Sequence, residues 1–98
     1  MSIRSFADRG TEDVFDGADT KAARKACPQD LWARGRRRLD DINQARHYAD
    51  LKTPSSNRLH PLTGSRKGQW SIAINDQYPI CFGWDGNDAL DVEITDYH

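Results

Sequence analysis

The sequence predicts an α+β fold, with an N-terminal strand and helices packed on one face of an antiparallel sheet. In the first half of the chain, apolar residues recur at helical spacing, whereas from residue 59 onward they alternate with a period of two. Helices followed by a strand meander are expected to cover one sheet face and leave the other exposed. A length of 98 residues fits a single domain over residues 1–98, and 37% hydrophobic residues suffice for one core.

The N-terminal segment is predicted to form one strand and two short helices. Apolar residues within Ser2–Ala7 indicate the strand, and Asp8–Phe15 indicates a brief helix that ends at Gly17. The side chain of Thr20 can cap a second helix over Lys21–Ala26. These elements would precede the main helix of the domain.

The main helix is predicted to run from Pro28 to His47. Proline suits the first position of a helix, where its missing N–H would have no partner anyway. Leu31, Leu39 and Ile42 fall at helical spacing and would face the core. The turn-forming segment Lys52–Asn57 then separates the helices from the sheet.

Four short segments of alternating or β-prone residues predict the sheet, with turns rich in Asn, Asp and Gly between them. Alternation places Trp70, Phe82 and Trp84 on the core side. Pro79 cannot donate to a strand ladder, so it is expected near the first residue of its strand. The predicted strands are Leu59–Leu62, Gln69–Asn75, Tyr78–Trp84 and Ala89–Thr95.

The opposite face of the sheet is predicted to be an exposed floor made of small residues. The strand Leu59–Leu62 and the C-terminal segment Asp96–His98 would form its borders. Such a floor with polar edges is suited to a ligand site. Its predicted members are Ser71, Ala73, Pro79, Cys81 and Gly83.

Charge is strongly segregated along the chain, although the total is only −1. Residues 21–69 carry 12 of the 14 lysines and arginines and a net charge of +8, whereas residues 70–98 carry neither cation and a net charge of −6. Local potential steers association more than net charge does. A nucleic-acid partner is therefore compatible with this sequence.

The cysteines and histidines do not show the spacing of a metal site. Cys27 and Cys81 lie far apart in apolar or helical surroundings, which predicts two buried free thiols. His47, His60 and His98 belong to three different segments. We expect neither a metal nor a cofactor.

The sequence predicts a cytoplasmic protein that does not enter a membrane. Its apolar runs are much shorter than the roughly 20 residues that cross a bilayer. The N-terminal residues include Arg4, Asp8 and Arg9 and therefore lack the apolar centre of a signal peptide.

Several runs of residues resemble the HigB branch of the RelE-like toxins, and together they cover almost the whole chain. The resemblance implies a RelE-like, microbial-ribonuclease-like fold and a ribosome-dependent endoribonuclease that cuts mRNA. It also implies a helix-turn-helix antitoxin of the HigA type, through which alone operator DNA would be bound. The matching runs are Ile3–Phe6 (IRSF), Asp8–Asp13 (DRGTED), Asn57–Ile72 (NRLHPLTGSRKGQWSI), Ile74–Tyr78 (INDQY), Ile80–Phe82 (ICF) and Asp96–His98 (DYH).

The resemblance also reveals missing cations. Relatives usually carry arginine, lysine or glutamine at positions that are Thr63, Ala73, Pro79 and Gly83 here. RNA cleavage by the 2′-hydroxyl needs a base, a proton donor and cations around the phosphate in the transition state. We therefore expect a weakened enzyme, and an inactive relative that only binds its antitoxin is the alternative.

By the same resemblance, His60 is the candidate general base or acid, because it matches the histidine of the Leu-His-Pro-Leu run. Tyr97 and His98 are candidates for positioning the phosphate or stacking on a base, with Asp96 orienting one of them. The competing interpretation makes His60 an edge-strand residue without chemistry and the C-terminal tripeptide an ordered tail that seals the core.

The candidate RNA-binding cations fall into two groups. Arg58, Arg66 and Lys67 flank the predicted site in sequence and are assigned to phosphate contacts, unless they belong only to a solvated turn. Cations of the helical half would contact ribosomal RNA outside the predicted catalytic site, or would simply form solvated helix faces. Those helical candidates are Lys25, Arg37 and Arg38. A plain RNA-binding or ribosome-binding module without catalysis is a third hypothesis.

Overall fold

A four-stranded antiparallel sheet is covered on one side by three helices, as the α+β prediction requires. The structure, a computed structural model, describes residues 2–96. The helices are α1 (Arg9–Asp16), α2 (Lys21–Ala26) and α3 (Trp32–Gln44), and the strands are β1 (His60–Pro61), β2 (Gln69–Ala73), β3 (Pro79–Trp84) and β4 (Ala89–Ile94). Short 3₁₀ helices occupy Gln29–Leu31, Tyr48–Lys52, Ser55–Asn57 and Gly64–Arg66.

The second helix has its predicted boundaries, whereas α1 begins and ends one residue later than the predicted Asp8–Phe15. The Asp8 side chain accepts a hydrogen bond from the Thr11 amide at 2.7 Å, and Gly17 ends α1 in the left-handed conformation. Thr20 caps α2 in the same way as Asp8 caps α1. The two helices pack closely at Gly10, where an added Cβ would lie 2.3 Å from the carbonyl oxygen of Ala22.

The third helix is shorter than the predicted Pro28–His47 at both ends. Pro28 has extended backbone with ψ at 139° and precedes a 3₁₀ turn, so it does not occupy the first position of the α-helix. Ala45 is extended as well, and the His47 side chain caps the 3₁₀ helix that follows. The cap at His47 is therefore associated with the early end of the helix, and the predicted turn at Lys52–Asn57 lies mostly in 3₁₀ helices.

The strands follow the order β1-β2-β3-β4, and every adjacent pair is antiparallel. The predicted meander is confirmed, and each strand is one or two residues shorter than expected at one or both ends. Pro79 is the first residue of β3, and its carbonyl accepts from the Thr95 amide at 3.1 Å. The ladder between β3 and β4 shifts register between Cys81 and Gly83, and Asp91 takes a positive φ of 51° there.

The predicted N-terminal strand Ser2–Ala7 is present only as two isolated parallel bridges to β4. Ile3 pairs with Ala89 and Phe6 pairs with Val92. The bulge in β4 separates these two pairs, and the Asp91 amide donates to the Ser5 hydroxyl at 2.9 Å. A continuous ladder is interrupted because the partner strand is itself irregular.

One hydrophobic core lies between the helices and the sheet. The prediction of a core position holds fully for Phe82, whereas Trp70 and Trp84 are partly buried and pack against the core beside Tyr48. None of the helices in the described part of the chain is long and apolar enough to cross a membrane. The core residues are Val14, Ala23, Cys27, Leu39, Ile42, Ala45, Leu51, Ile72, Ile74, Ile80, Phe82, Ala89, Val92 and Ile94.

Both cysteines are buried free thiols, as predicted. Burial, together with the charge of the nearby Asp30 carboxylate, raises the pKa of the Cys27 thiol to about 11. Burial also raises the pKa of Cys81, which the Arg66 guanidinium partly offsets. Both side chains are thus uncharged thiols near neutral pH.

Candidate functional site

A shallow cavity lies on the face of the sheet that turns away from the helices, here called the open face. The strand register sets His60, Ser71, Cys81 and Glu93 in one row across all four strands. The cavity at one end of this row, here called the sheet cavity, has a volume of about 210 Å³. It is lined by Arg58, His60, Ser71, Ala73, Asn75, Asp76, Gln77 and Pro79.

The open face is less exposed than its small residues predict. Ser71 and Cys81 are buried, with 1% and 0% of their surfaces accessible, whereas Ala73, Pro79 and Gly83 are half-buried. The prediction of an exposed floor is therefore wrong for Ser71 and Cys81. A long side chain that enters from the 3₁₀ turn before β2 passes near Cys81 on this face.

That side chain is Arg66, which crosses the open face. Its guanidinium donates to the Gln69 side chain at 3.1 Å and to the Glu93 carboxylate at 3.0 Å. Gln69 belongs to β2 and Glu93 to β4, so the guanidinium spans β3 between them. The structure thus places a cation over the strand that contains Gly83.

His60 lies at the rim of the sheet cavity and is exposed to solvent. Its Nδ1 lies 2.8 Å from the carbonyl oxygen of Arg58. Because a carbonyl oxygen only accepts hydrogen bonds, this contact assigns the proton of the neutral imidazole to Nδ1. Nε2 then carries the lone pair and can accept a proton.

The backbone at Arg58 is in the left-handed conformation, with φ at 50° and ψ at 48°. Its guanidinium donates to the Asp76 carboxylate at 2.8 Å, while the side chain of Asp76 is 99% exposed. The cation predicted for a phosphate contact therefore lines the cavity, but with a carboxylate already beside it. Such an exposed ion pair contributes little to stability.

The predicted site residues of the C-terminus are only partly described. Asp96 accepts a hydrogen bond from the Gln77 side chain at 3.2 Å, which places it beside the sheet cavity. Tyr97 and His98 lie outside the described residues. Lys67 is exposed at the end of the 3₁₀ turn that carries Arg66.

The predicted cations of the helical half do not come together. Lys25 lines a depression between α1 and α2, and Arg37 lines another beside Phe15. Arg38 belongs to a third depression, which it shares with Arg34 and Arg58. Neighbouring residues of α3 thus point toward different surfaces.

Sequence reasoning missed the carboxylates that pair with the site cations. Asp76 is 18 residues from Arg58, and Glu93 is 27 residues from Arg66. Asp76 sits in a turn that was interpreted only as a connection between strands. The register expected for the four strands could have placed Glu93 in the same row as His60. It could not have shown that the Arg66 side chain reaches Glu93.

Comparisons with known proteins agree with this architecture. A family model described as the RelE-like toxin of the type II toxin-antitoxin system HigB matches residues 4–98. The chain is 31% identical to Endoribonuclease HigB of Proteus vulgaris over 96 residues, which cover 98% of this chain and 99% of the relative. It is also 39% identical to Toxin HigB-1 of Vibrio cholerae over 54 residues, covering 55% and 57% of the two chains. The chain therefore belongs to the HigB-like family, the RelE-like toxins of type II toxin-antitoxin systems.

Proposed function

We propose that this protein is a ribosome-dependent mRNA endoribonuclease, weakened relative to its family, that inhibits translation in the cytoplasm. One observation carries the proposal: His60, with Nε2 as its proton acceptor, shares a cavity with the Arg58 guanidinium. A relative over nearly the full length is named an endoribonuclease. A base beside a cation on an open surface is what cleavage of an RNA strand needs.

The proposed reaction is attack by the 2′-hydroxyl of RNA on the adjacent phosphorus. His60 Nε2 takes the proton from the hydroxyl as the new O–P bond forms, and the bond from phosphorus to the 5′-oxygen breaks. The leaving oxygen takes a proton from the C-terminal tripeptide, where Tyr97 or His98 is the donor and Asp96 orients it. The products are a 2′,3′-cyclic phosphate and a 5′-hydroxyl.

The charge that builds on the phosphate in this reaction requires nearby cations. In this protein they are Arg58 and Arg66, with Lys67 as a more distant phosphate contact. Arg66 reaches over β3 from outside the strand and would partly replace the cation that Gly83 lacks. Lys25 and Arg37 are assigned to ribosomal RNA, because they lie away from the sheet cavity.

The second candidate function is a catalytically inactive toxin relative that only binds its antitoxin. The pairing of both site cations with carboxylates, Arg58 with Asp76 and Arg66 with Glu93, favours it. In either case the proposed partner is a HigA-like helix-turn-helix antitoxin, and operator DNA is reached only through it.

Induction of the chain in bacteria, with and without the antitoxin, tests the two functions. Growth arrest and codon-spaced mRNA cuts are expected from the natural chain, and neither from His60→Gln. Gly83→Arg is expected to cut faster, and its Cβ would lie at an ordinary 3.7 Å from Leu90. If neither the natural chain nor Gly83→Arg cuts mRNA while the antitoxin still binds, the inactive function holds and the endoribonuclease proposal is wrong.

A further inference from the structure

A second depression, larger than the sheet cavity, adjoins it and is rich in arginine. This arginine cleft has a volume of about 450 Å³. Its lining shares three residues, Arg58, Asn75 and Asp76, with the sheet cavity. The other lining residues are Arg34, Arg38, Ser56 and Ile74. The two depressions therefore lie side by side at the turn that links β2 and β3.

Three arginines from two parts of the chain line the cleft. Arg34 and Arg38 are one turn apart on α3, and Arg58 follows a 3₁₀ helix on the other side. Asp76 is the carboxylate in the lining, so the cleft is net positive. Residues of like charge repel one another at this spacing, so such a cluster is stabilised when an anion binds.

Arg38 has unused hydrogen-bonding capacity. Its Nε–H is buried and has no hydrogen-bond partner among residues 2–96. Its ion pair with Asp41 is long, with 3.9 Å between the charged atoms. Only 15% of the side chain is exposed, so its position is largely fixed by packing. Among residues 2–96, the Arg38 guanidinium therefore has no carboxylate within hydrogen-bonding distance.

We propose that the arginine cleft binds a phosphodiester of the same RNA strand whose scissile phosphate lies in the sheet cavity. Asp76 holds Arg58 until the strand arrives, and the RNA phosphate then replaces this carboxylate. The inference rests on the proposed function for the identity of the strand. It assigns Arg34 and Arg38 to the substrate, whereas Arg36 and Arg37, which line a separate depression, are outside its path.

Binding of 2′-O-methyl single-stranded RNA, which cannot be cut, tests the inference at several salt concentrations. A dinucleotide fills only the sheet cavity, and a longer strand also reaches the cleft. For the double variant Arg34→Gln/Arg38→Gln, we expect weaker binding of the long strand. Its slope of log affinity against log salt should fall by about 0.7 for each lost phosphate contact. Dinucleotide binding should stay unchanged.

The matched control is Arg36→Gln/Arg46→Gln, which removes the same charge at two residues that line neither the arginine cleft nor the sheet cavity. It should keep the salt slope of the natural chain. Asp76→Asn should bind the long strand more tightly than the natural chain does. Circular dichroism and urea unfolding confirm that all variants are folded before binding is measured.

Three results would overturn the inference: equal losses in both double variants, equal losses for the two strand lengths, or no binding of the long strand by the natural chain. A fourth result would contradict the inference as well: if Arg34→Gln/Arg38→Gln weakened only the binding to ribosomes, the phosphate in the cleft would belong to ribosomal RNA. The proposed function is judged separately by mRNA cuts in cells. Normal mRNA cleavage after loss of Arg34 and Arg38 would support the proposed function and contradict the role of the cleft. Cleft-dependent RNA binding without mRNA cleavage would support the role of the cleft and contradict the proposed function.

Discussion

The two faces of the sheet are made by alternate residues of the same strands, yet different forces hold them. On the core face, Ile72, Ile80 and Phe82 are fully buried under the helices. On the open face, half-buried small residues lie between ion pairs formed by residues far apart in sequence. The core face therefore determines stability, and we expect the open face to determine chemistry at little cost to the fold.

The core face should respond most strongly to truncation of its largest side chain. Phe82→Ala is expected to cost about 3–5 kcal/mol, since it removes a buried ring and leaves a cavity. That is a large part of the roughly 5–15 kcal/mol that stabilises a domain. Urea unfolding measures the effect, with Phe82→Leu as the milder control. An unchanged midpoint for Phe82→Ala would contradict the division between the faces.

The open face should show the opposite response at its histidine. His60→Gln is expected to reduce the rate of mRNA cleavage on ribosomes about 10²- to 10⁴-fold, because it removes the proton acceptor. The free energy of unfolding should stay within about 0.5 kcal/mol, since His60 is an exposed residue of an edge strand.

His47 provides a matched control for His60, because its imidazole caps a 3₁₀ helix away from the sheet cavity. His47→Gln should destabilise the fold by about 1 kcal/mol and leave cleavage intact. Should both substitutions reduce cleavage alike, the specific role of His60 would be lost. Single-turnover cleavage and urea unfolding, measured on the same preparations, separate these outcomes.

The ion pair across the open face gives two predictions of opposite sign. Arg66→Gln should lower the cleavage rate about 10²-fold, because it removes a cation held over β3. Glu93→Gln should raise RNA affinity by removing the competing carboxylate. Affinity and single-turnover rate are measured together for both variants. Equal reductions in both would show that the pair only supports the structure.

The smallest expected effect concerns the carboxylate of Asp13, which has a structural role, unlike the carboxylates of the open face. A hydrogen bond from Thr20 and the charge of Arg9 hold the pKa of Asp13 below its usual range, although burial opposes them. Its stabilisation is therefore complete above the unfolded-state pKa of about 4 and is lost as the pH falls through the folded-state pKa.

The measurement is urea unfolding of the natural chain and Asp13→Asn between neutral and acidic pH. The natural chain should be more stable at neutral pH, and the difference should shrink as the pH falls below about 5. Asp76→Asn, which alters a 99% exposed side chain, should match the natural chain at neutral pH. A difference between the natural chain and Asp13→Asn that grows in acid would contradict the assignment.

Elements with strong local signals could be predicted from sequence. Boundaries at which two local structures compete could not. The stop at Gly17 and the cap at Thr20 predicted two helices to within one residue, and alternation predicted β2 and β3 to within two residues. The end of α3 was wrong because Ala45 leaves the helix before His47, whose side chain caps the next turn. The bulge at Asp91 has no signal in the residue pattern.

The sequence could predict which residues meet at the sheet cavity, but not the side-chain contacts around them. His60, Ala73 and Pro79 do meet at one cavity, since strand register follows from the meander. The burial of Ser71 could not be foreseen, because alternation alone places it on the exposed face of the sheet. The split between Arg37 and Arg38 depends on the exact rotation of α3, which a run of consecutive arginines does not determine.

The edges of the sheet bear on how this chain behaves at high concentration. An open strand edge is a template on which other chains add strands and aggregate. Here β1 consists of two residues, one of them Pro61, which has no amide proton to donate. The outer edge of β4 already exchanges hydrogen bonds with Ser2–Ala7. Both edges are thus obstructed, so the open face can remain accessible to a ligand without the sheet being extended by a second copy.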